Sequence, residues 1–439
     1  MPAIGPLDQR RRRPRSVRTW RSGVGRTLPV LAVALAAAWA AMTTPYEAAG
    51  PAIRSDGSGY QAWTRAIVTG DYSFCGNEEL LTVKAISATD AERDVCQNKY
   101  PPGMALLRLP VTGWLVDRGA TDPRPSPREQ EASLWLGAAT LAATAALVAD
   151  AARRLGARVV PSAVALLCGT FGTGLFHYAT YDGSFSHGSS AMLVAALCWV
   201  GVRASGGGRP PPLVPTAVLT ALLTLTRNTN VVVVASLVVG WLAWQHVPFW
   251  RLGPLLRHAG PAVAGGLVGA AVQVGYNRWA TGSWTLSSYG SEPFLFDRPR
   301  QHSVLVSYER GLLTWYPALA VGLVALALTR RGRHLGALAL VLVVPLVVIY
   351  GFWFSWYLGG GFGHRGFVEV VPALVLAFAV GLDELRGPAR HLVAGAMVLA
   401  TLVTVSLMAG YWRSSIDFIG TRDDVYWAHV VGGDSILTP

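Results

Sequence analysis

Long apolar runs broken by short polar loops dominate the pattern of this chain. A helix needs about 18 or more mostly apolar residues to cross a bilayer. That criterion marks eleven segments: 28–45, 132–150, 158–177, 188–203, 212–226, 229–245, 259–277, 314–329, 335–353, 367–382 and 391–410, of which several, notably 212–226, are short for a span. The expected fold class is all-α integral membrane. It is a single bundle of about eleven transmembrane helices over 28–410, leaving no room for a separate soluble domain. The longest gap between runs is the first loop, 46–130. Within it, "GYQAWTRAIVTG" (59–70) sets Ala62, Trp63, Ala66 and Ile67 at helical spacing, which reads as a helix lying in the interface. "PPGMALLRLPVTGWLVDRG" (101–119) opens on prolines suited to a helix start and then runs apolar. At about three turns it is too short to span, so a re-entrant or interfacial helix is expected.

Composition agrees with this reading. Of 439 residues, 52% are hydrophobic and only 14% charged, which is too apolar for a soluble chain of this size. A net charge of +12 invites a nucleic-acid partner, but its distribution excludes one. Eight arginines and one acid fall in the first 26 residues, and the remaining excess sits in "ARRLGAR" (152–158), "RASGGGR" (203–209), "TRRGRH" (329–334) and "LRGPARH" (385–391). These loops alternate with acidic or mixed ones, which is the positive-inside pattern. Residues 1–27 then form a cytoplasmic Arg-rich tail, 46–130 an outside loop holding 11 of the 25 acids, and 411–439 an outside C-terminal tail. A cleaved signal peptide is the rival reading of 1–45, although its apolar run is long for one. The next loop is outside either way.

Cys168 and Cys198 lie in apolar runs and read as small buried hydrophobes. Cys75 and Cys96 share the first outside loop, in the compartment where disulfides persist, and are expected to pair and brace it. No His/Cys cluster has metal-ligand spacing, no cofactor is implied, and no Walker sequence occurs. "GGGFGHRG" lacks the strand and helix that a dinucleotide loop needs. Chemistry is therefore expected on the outer face, where no nucleotide is available and an activated donor must be carried by lipid.

Several stretches then carry a resemblance: "DGSGYQAW" in the first loop, "NKYPPGMALLRLP" at its end, "YDGSFSHGSS", "LTLTRNTN", "YERGLLTWYP" and "GGGFGHRGFVEVVP", in that order from residue 56 to 372. Together with the topology, the chain resembles the GT-C superfamily of polytopic glycosyltransferases, in particular bacterial proteins of the protein O-mannosyltransferase and aminoarabinose transferase group. The resemblance implies a bacterial plasma-membrane enzyme that takes a sugar from a polyprenyl-phosphate donor. The acceptor would be a glycan, glycolipid or protein, and the first-loop carboxylate, Asp56, would be the catalytic base.

Physical chemistry supports that role. A sugar on a lipid phosphate already has a good leaving group. One inverting displacement then needs one carboxylate to take the acceptor's proton and cationic or hydrogen-bonding groups to hold the phosphate. Hydrolysis of a glycoside would instead need two carboxyl groups. Asp56 lies just past the first apolar run, and Gly57 and Gly59 allow close backbone approach. The alternative is a simple Asx-type turn. Related enzymes often carry Asp-Glu here, whereas Gly57 follows Asp56 in this chain. A second acid would have to come from Asp71, Glu78 or Asp182. For the phosphate the candidates are Arg365, whose planar fork suits phosphate oxygens, with His364 beside it, Lys99 (one of two lysines), and His187 at the start of a run. Each has a bland counterpart: an interfacial arginine, a solvated lysine, a structural histidine. Tyr60 and Arg310 are accessory candidates, Arg310 equally able to pair with Glu309. Arg227, between two short runs, could bond broken-helix carbonyls as readily as a ligand. From another class, the rival is a transporter or flippase of lipid-linked saccharides, which should show repeats and charges near the midplane. A non-catalytic scaffold or sensor is the third reading.

Overall fold

Helices make up almost all regular structure in the computed structural model, which describes residues 19–43, 50–75, 86–90, 95–117, 124–206, 209–289 and 292–431. In chain order these are α1 (Thr19–Thr43), α2 (Asp56–Thr69), β1 (Ile86–Asp90), β2 (Val95–Asn98), α3 (Gly103–Thr112), α4 (Pro127–Arg154), α5 (Val159–Phe171), α6 (Leu175–Ala179), α7 (Ser186–Ser205), α8 (Leu213–Thr226), α9 (Asn230–Trp244) and α10 (Leu252–Thr281). There follow α11 (Gln301–Val306), α12 (Leu312–Trp315), α13 (Pro317–Ala327), α14 (Arg330–Phe352), a 3-10 turn (Arg365–Val370) leading into α15 (Val371–Glu384), α16 (Gly387–Trp412) and α17 (Asp423–Val431).

Each of the eleven apolar segments forms helix, but the expected eleven spans are not seen as such. Among the described residues six helical stretches are long and apolar enough to cross a membrane: α4, α7, α10, α14, Arg365–Glu384 and α16. The other apolar segments give shorter helices, Thr27–Thr43, α5, α8, α9 and α13. Local breaks explain the shortening. α8 stops where Arg227 turns extended (φ −158°, ψ 140°), and α9 resumes three residues later. Length and composition make the chain a multi-pass helical membrane protein.

α15 is the hub, with nearly every residue from Val371 to Leu382 buried. The rim helices present Leu31, Leu35, Leu267, Val268, Leu399 and Leu402 outward, as lipid-facing surfaces do. α8 and α10 approach through small residues. A Cβ on Gly265 would come within 2.0 Å of the Ala217 carbonyl oxygen, and one on Gly269 within 2.7 Å of that of Ala221. This is the small-xxx-small contact of membrane helices.

The bundle has two unlike ends. α4 has 28 residues, about 40 Å at 1.5 Å per residue. At its start Glu129 accepts a hydrogen bond from Gln61 of α2 (2.6 Å), and near its end Asp150 pairs with Arg153 and Arg154. Arg158 pairs with Asp383, and the Arg331 amide donates to Glu384 (2.9 Å), at that same basic end. Asp56 lies at the other.

The first loop departs from expectation in two ways. It contains a two-stranded antiparallel hairpin, Ile86 opposite Asn98 and Ala88 opposite Cys96, where only helices were expected. The Cys96 amide donates to the Ser73 carbonyl (2.7 Å), and Cys96 is bonded to Cys75 (Cα–Cα 5.1 Å), so β2 is tied on both flanks as extended chain. The expected disulfide is thus present. Second, α2 is packed into protein rather than laid on an interface, whereas α3 is buried on one side only and leaves Leu106 and Val111 exposed, as an interfacial helix would. Gly57 to Thr64 are all buried, and a Cβ on Gly103 would meet the Leu225 carbonyl carbon at 2.4 Å. Changing both Cys75 and Cys96 to alanine is expected to cost about 3 kcal/mol, the loop-closure term for a bridge over some twenty residues. A lower thermal midpoint in detergent that reductant no longer shifts would register it; an unchanged midpoint would contradict it.

Candidate active site

α2 starts with Asp56 as its first helical residue, and the amides of the next two residues, Gly57 and Ser58, donate to the Arg54 and Ser55 carbonyls (2.8 and 3.1 Å). The preceding Ser55 is held at φ 47°, a rare conformation outside glycine, of the kind that surrounding structure must enforce. Two close approaches do so. A Cβ on Gly57 would fall 2.1 Å from the Ser184 hydroxyl oxygen, and one on Gly59 2.2 Å from the Tyr100 ring. Gly57 and Gly59 therefore act as the sequence implies, letting α2 sink between the 182–186 turn and Tyr100.

Tyr100 is fixed at two points, its amide donating to Asn98 Oδ1 (3.0 Å) and its carbonyl accepting from Trp63 Nε1 (2.6 Å), and Asn98 is itself held by Nδ2 donating to the Gly59 carbonyl (2.7 Å). Its hydroxyl donates to Asp56 Oδ1 at 2.8 Å. Arg365 approaches Asp56 Oδ2 at 3.4 Å, and both side chains keep a sliver of exposure, 14% and 16%. Burial raises the Asp56 pKa, but the Arg365 charge and the Tyr100 hydroxyl outweigh it and hold the carboxyl below its ordinary value. Burial and the Asp56 charge push the Tyr100 phenol well up, so it stays a donor.

Arg365 is delivered by a glycine-rich loop with much left-handed backbone, in which Leu358 also sits at φ 62°. Gly359, Gly361 and Gly363 have φ of 75°, 156° and 55°. The loop wraps two phenols: Tyr178 and Tyr316 both donate to the Phe362 carbonyl (3.1 Å each), and the Phe362 amide donates to Tyr178 (2.9 Å).

Two further cations face the same region. Lys99 pairs with Glu292 (3.2 Å) and lies over the Tyr289 ring (5.3 Å). Arg227, in the α8–α9 break, pairs with Glu369 (2.8 Å), which also accepts from His187 Nδ1 (2.9 Å). Ring contacts gather these charges: Lys99 lies 5.6 Å from the Tyr100 ring, Arg365 lies 5.6 Å from the Phe185 ring, and that ring is 6.5 Å from His187. Tyr60 donates to the Ser186 hydroxyl (2.9 Å), and its ring centroid is 5.0 Å from that of Tyr100. Asp56, Arg365, Lys99, His187 and Tyr60 thus converge.

The other candidates do not join them. His364 is fully buried, its ring 4.8 Å from Phe367 and 5.3 Å from Tyr350. Burial pushes its pKa down to about 3, so it is neutral at pH 7 and brings no positive charge to a phosphate. Asp71 is exposed beyond the far end of α2, capping the Ser73 amide (2.9 Å), about 20 Å along the helix from Asp56. Asp182 is occupied by Arg54 (2.7 Å) and His177 (2.8 Å). Arg310, 1% exposed, bonds Thr421 Oγ1 (2.7 Å) and the Phe418 carbonyl (2.7 Å), fastening the C-terminal segment onto the bundle. Glu78 lies outside the described residues.

Sequence reasoning passed over Glu369, Glu292 and the Tyr100 hydroxyl. Glu369 did carry a signal, being an acid set in the apolar run "GFVEVVPALVL". Among the described residues no group of three His, Cys, Asp or Glu is arranged to hold a metal. Comparison with models of known protein families and with curated proteins gave no match.

Proposed function

We propose that the protein is an inverting glycosyltransferase of the GT-C type. It would take a sugar from a polyprenyl-monophosphate donor and pass it to an acceptor hydroxyl on the extracytoplasmic face of a bacterial plasma membrane. The observation that carries the reading is the partly exposed Asp56 carboxylate held between Tyr100 and Arg365, with Lys99 and Arg227 nearby, at the end of an apolar bundle opposite its basic loops. In the step this arrangement suits, the acceptor oxygen bonds the anomeric carbon as the bond from that carbon to the phosphate oxygen breaks. The electron pair leaves on the phosphate, and the acceptor's proton goes to Asp56.

The three cations are each matched with a carboxylate. The Asp56–Arg365 contact, at 3.4 Å, is looser than the 2.7–2.9 Å typical of a tight charge-assisted bond. A phosphate can therefore draw Arg365 away at little cost, which also leaves Asp56 more basic. The test is release of free polyprenyl phosphate by purified protein given a panel of polyprenyl-phosphate sugars and a membrane glycolipid extract. Release from wild type that is lost in Asp56→Asn supports the transferase. Donor binding with no release from either favours transport of the lipid-linked sugar.

A finer expectation concerns pH. Tyr100→Phe removes a hydrogen bond that lowers the Asp56 pKa, so that pKa rises. The acidic limb of the pH–rate profile should move to higher pH, with the alkaline limb fixed. An unmoved acidic limb would detach Asp56 from the profile.

A further inference from the structure

Beside the Asp56 region, the same end of the bundle holds a second space, of about 360 Å³, between the 295–300 and 353–357 segments. Its walls are pinned to each other by backbone. The Leu295 amide donates to the Phe352 carbonyl (2.6 Å), Phe354 to Pro293 (3.1 Å) and Arg300 to Gly351 (2.8 Å), and Phe294 and Trp353 form a bridge. The cavity is therefore preformed, and its volume is in the range of small-molecule sites, about 300–1,000 Å³.

Its lining is chemically mixed: Trp353, Trp356 and Tyr357 with Arg298, Arg300 and Glu309. The side chains of Arg300 and Glu309 make no hydrogen bond or ion pair among the described residues, so one donor fork and one acceptor remain open. Sugar hydroxyls both donate and accept, and so match such a pair. The C–H face of a pyranose packs on flat aromatic rings, which carry a polar edge as well. Glu309 makes the space a poor one for a bare phosphate or an anionic lipid headgroup.

One wall also touches the candidate active site: Trp353 packs edge-on against Tyr289 (6.0 Å), over whose ring Lys99 lies (5.3 Å). We infer that this cavity is a saccharide-binding subsite that holds part of a glycan acceptor while its reacting hydroxyl reaches Asp56. This assignment of acceptor class rests on the transferase reading above.

The experiment uses the full chain in nanodiscs on an array of fluorescent oligosaccharides. In parallel, phosphatidylglycerol retention and polyprenyl phosphate release are measured for wild type, Asp56→Asn, Arg300→Ala and Glu309→Gln. Wild type and Asp56→Asn should bind at least one oligosaccharide class equally. Arg300→Ala and Glu309→Gln should weaken that binding at least tenfold with unchanged thermal midpoints, and raise the acceptor KM with kcat retained. No array binding, or binding the two variants leave unaltered, overturns the subsite, as does an Arg300→Ala effect confined to phosphatidylglycerol retention. Donor-dependent release without array binding sinks the subsite alone. Array binding sensitive to both variants, without release, keeps a saccharide site and removes the transfer reading.

Discussion

Asp56→Asn is expected to slow release of polyprenyl phosphate about 10³-fold, in the middle of the 10²–10⁴ range for a positioned general base, while fold and donor binding survive. Asparagine keeps the shape of the side chain and can still accept the Tyr100 hydroxyl that lies 2.8 Å from Oδ1. It loses only what the proposed role needs, a negative oxygen able to take a proton. Donor affinity should hold or tighten slightly, because Arg365 no longer shares its fork with a carboxylate. That combination separates a base from a scaffold residue, whose loss would lower stability and binding together. A fall of less than tenfold, with donor still bound, would remove Asp56 from the chemistry. Arg365→Lys is the useful companion. It keeps the charge but not the planar fork, so it should raise the donor KM more than it lowers kcat.

The position of Asp56 was legible because its signals are local. A carboxylate beside two small glycines just past an apolar run stands out in the sequence, and Gly57 and Gly59 do allow a close approach, to Ser184 and Tyr100. The helical character of all eleven apolar segments was legible for the same reason. Which of them reach spanning length was not, because hydropathy does not register backbone breaks such as the extended Arg227 between α8 and α9. The hairpin was hidden too: β2 owes its extended form to Ser73 and Cys75, contacts some twenty residues away in sequence. Glu369 and Glu292 escaped because each matters only through a cation far along the chain, Arg227 and Lys99. His364 misled in the opposite direction. Its neighbour in sequence, Arg365, faces Asp56, but its own ring packs against Tyr350 and Phe367.

Asp182→Ala is expected to be the most destabilising single change in this part of the molecule, by about 3–5 kcal/mol, the cost of removing one partner from a buried ion pair. Asp182, 3% exposed, accepts from Arg54 on one oxygen and His177 on the other. Trp412 Nε1, which can only donate, points at His177 Nδ1 (2.8 Å). The histidine must therefore carry its proton on Nε2 and give that hydrogen bond to Asp182. Burial lowers the His177 pKa further than the Asp182 charge raises it, so the ring is neutral at pH 7. Arg54 lies over the Tyr181 ring (4.6 Å), which stacks on Trp412 (5.3 Å). Without Asp182 the guanidinium keeps its aromatic cover but loses its counter-charge. The strain reaches Asp56 directly, because the Arg54 carbonyl accepts the Gly57 amide (2.8 Å) at the first turn of α2. The pH dependence has a definite sign. Burial raises the Asp182 pKa, but His177 and Arg54 outweigh it and hold the folded-state value well below the ordinary carboxylate range. Its contribution is fully present above the unfolded pKa of about 3.9 and is lost as pH falls from there towards the folded value. Thermal midpoints in detergent should differ most between wild type and Asp182→Ala near neutral pH and converge below about pH 4. Asp182→Asn, which keeps the shape and an acceptor for His177, should fall between them. Equal midpoints at neutral pH would mean that water replaces the carboxylate at Arg54, and that the turn before Asp56 is held by its glycine contacts alone.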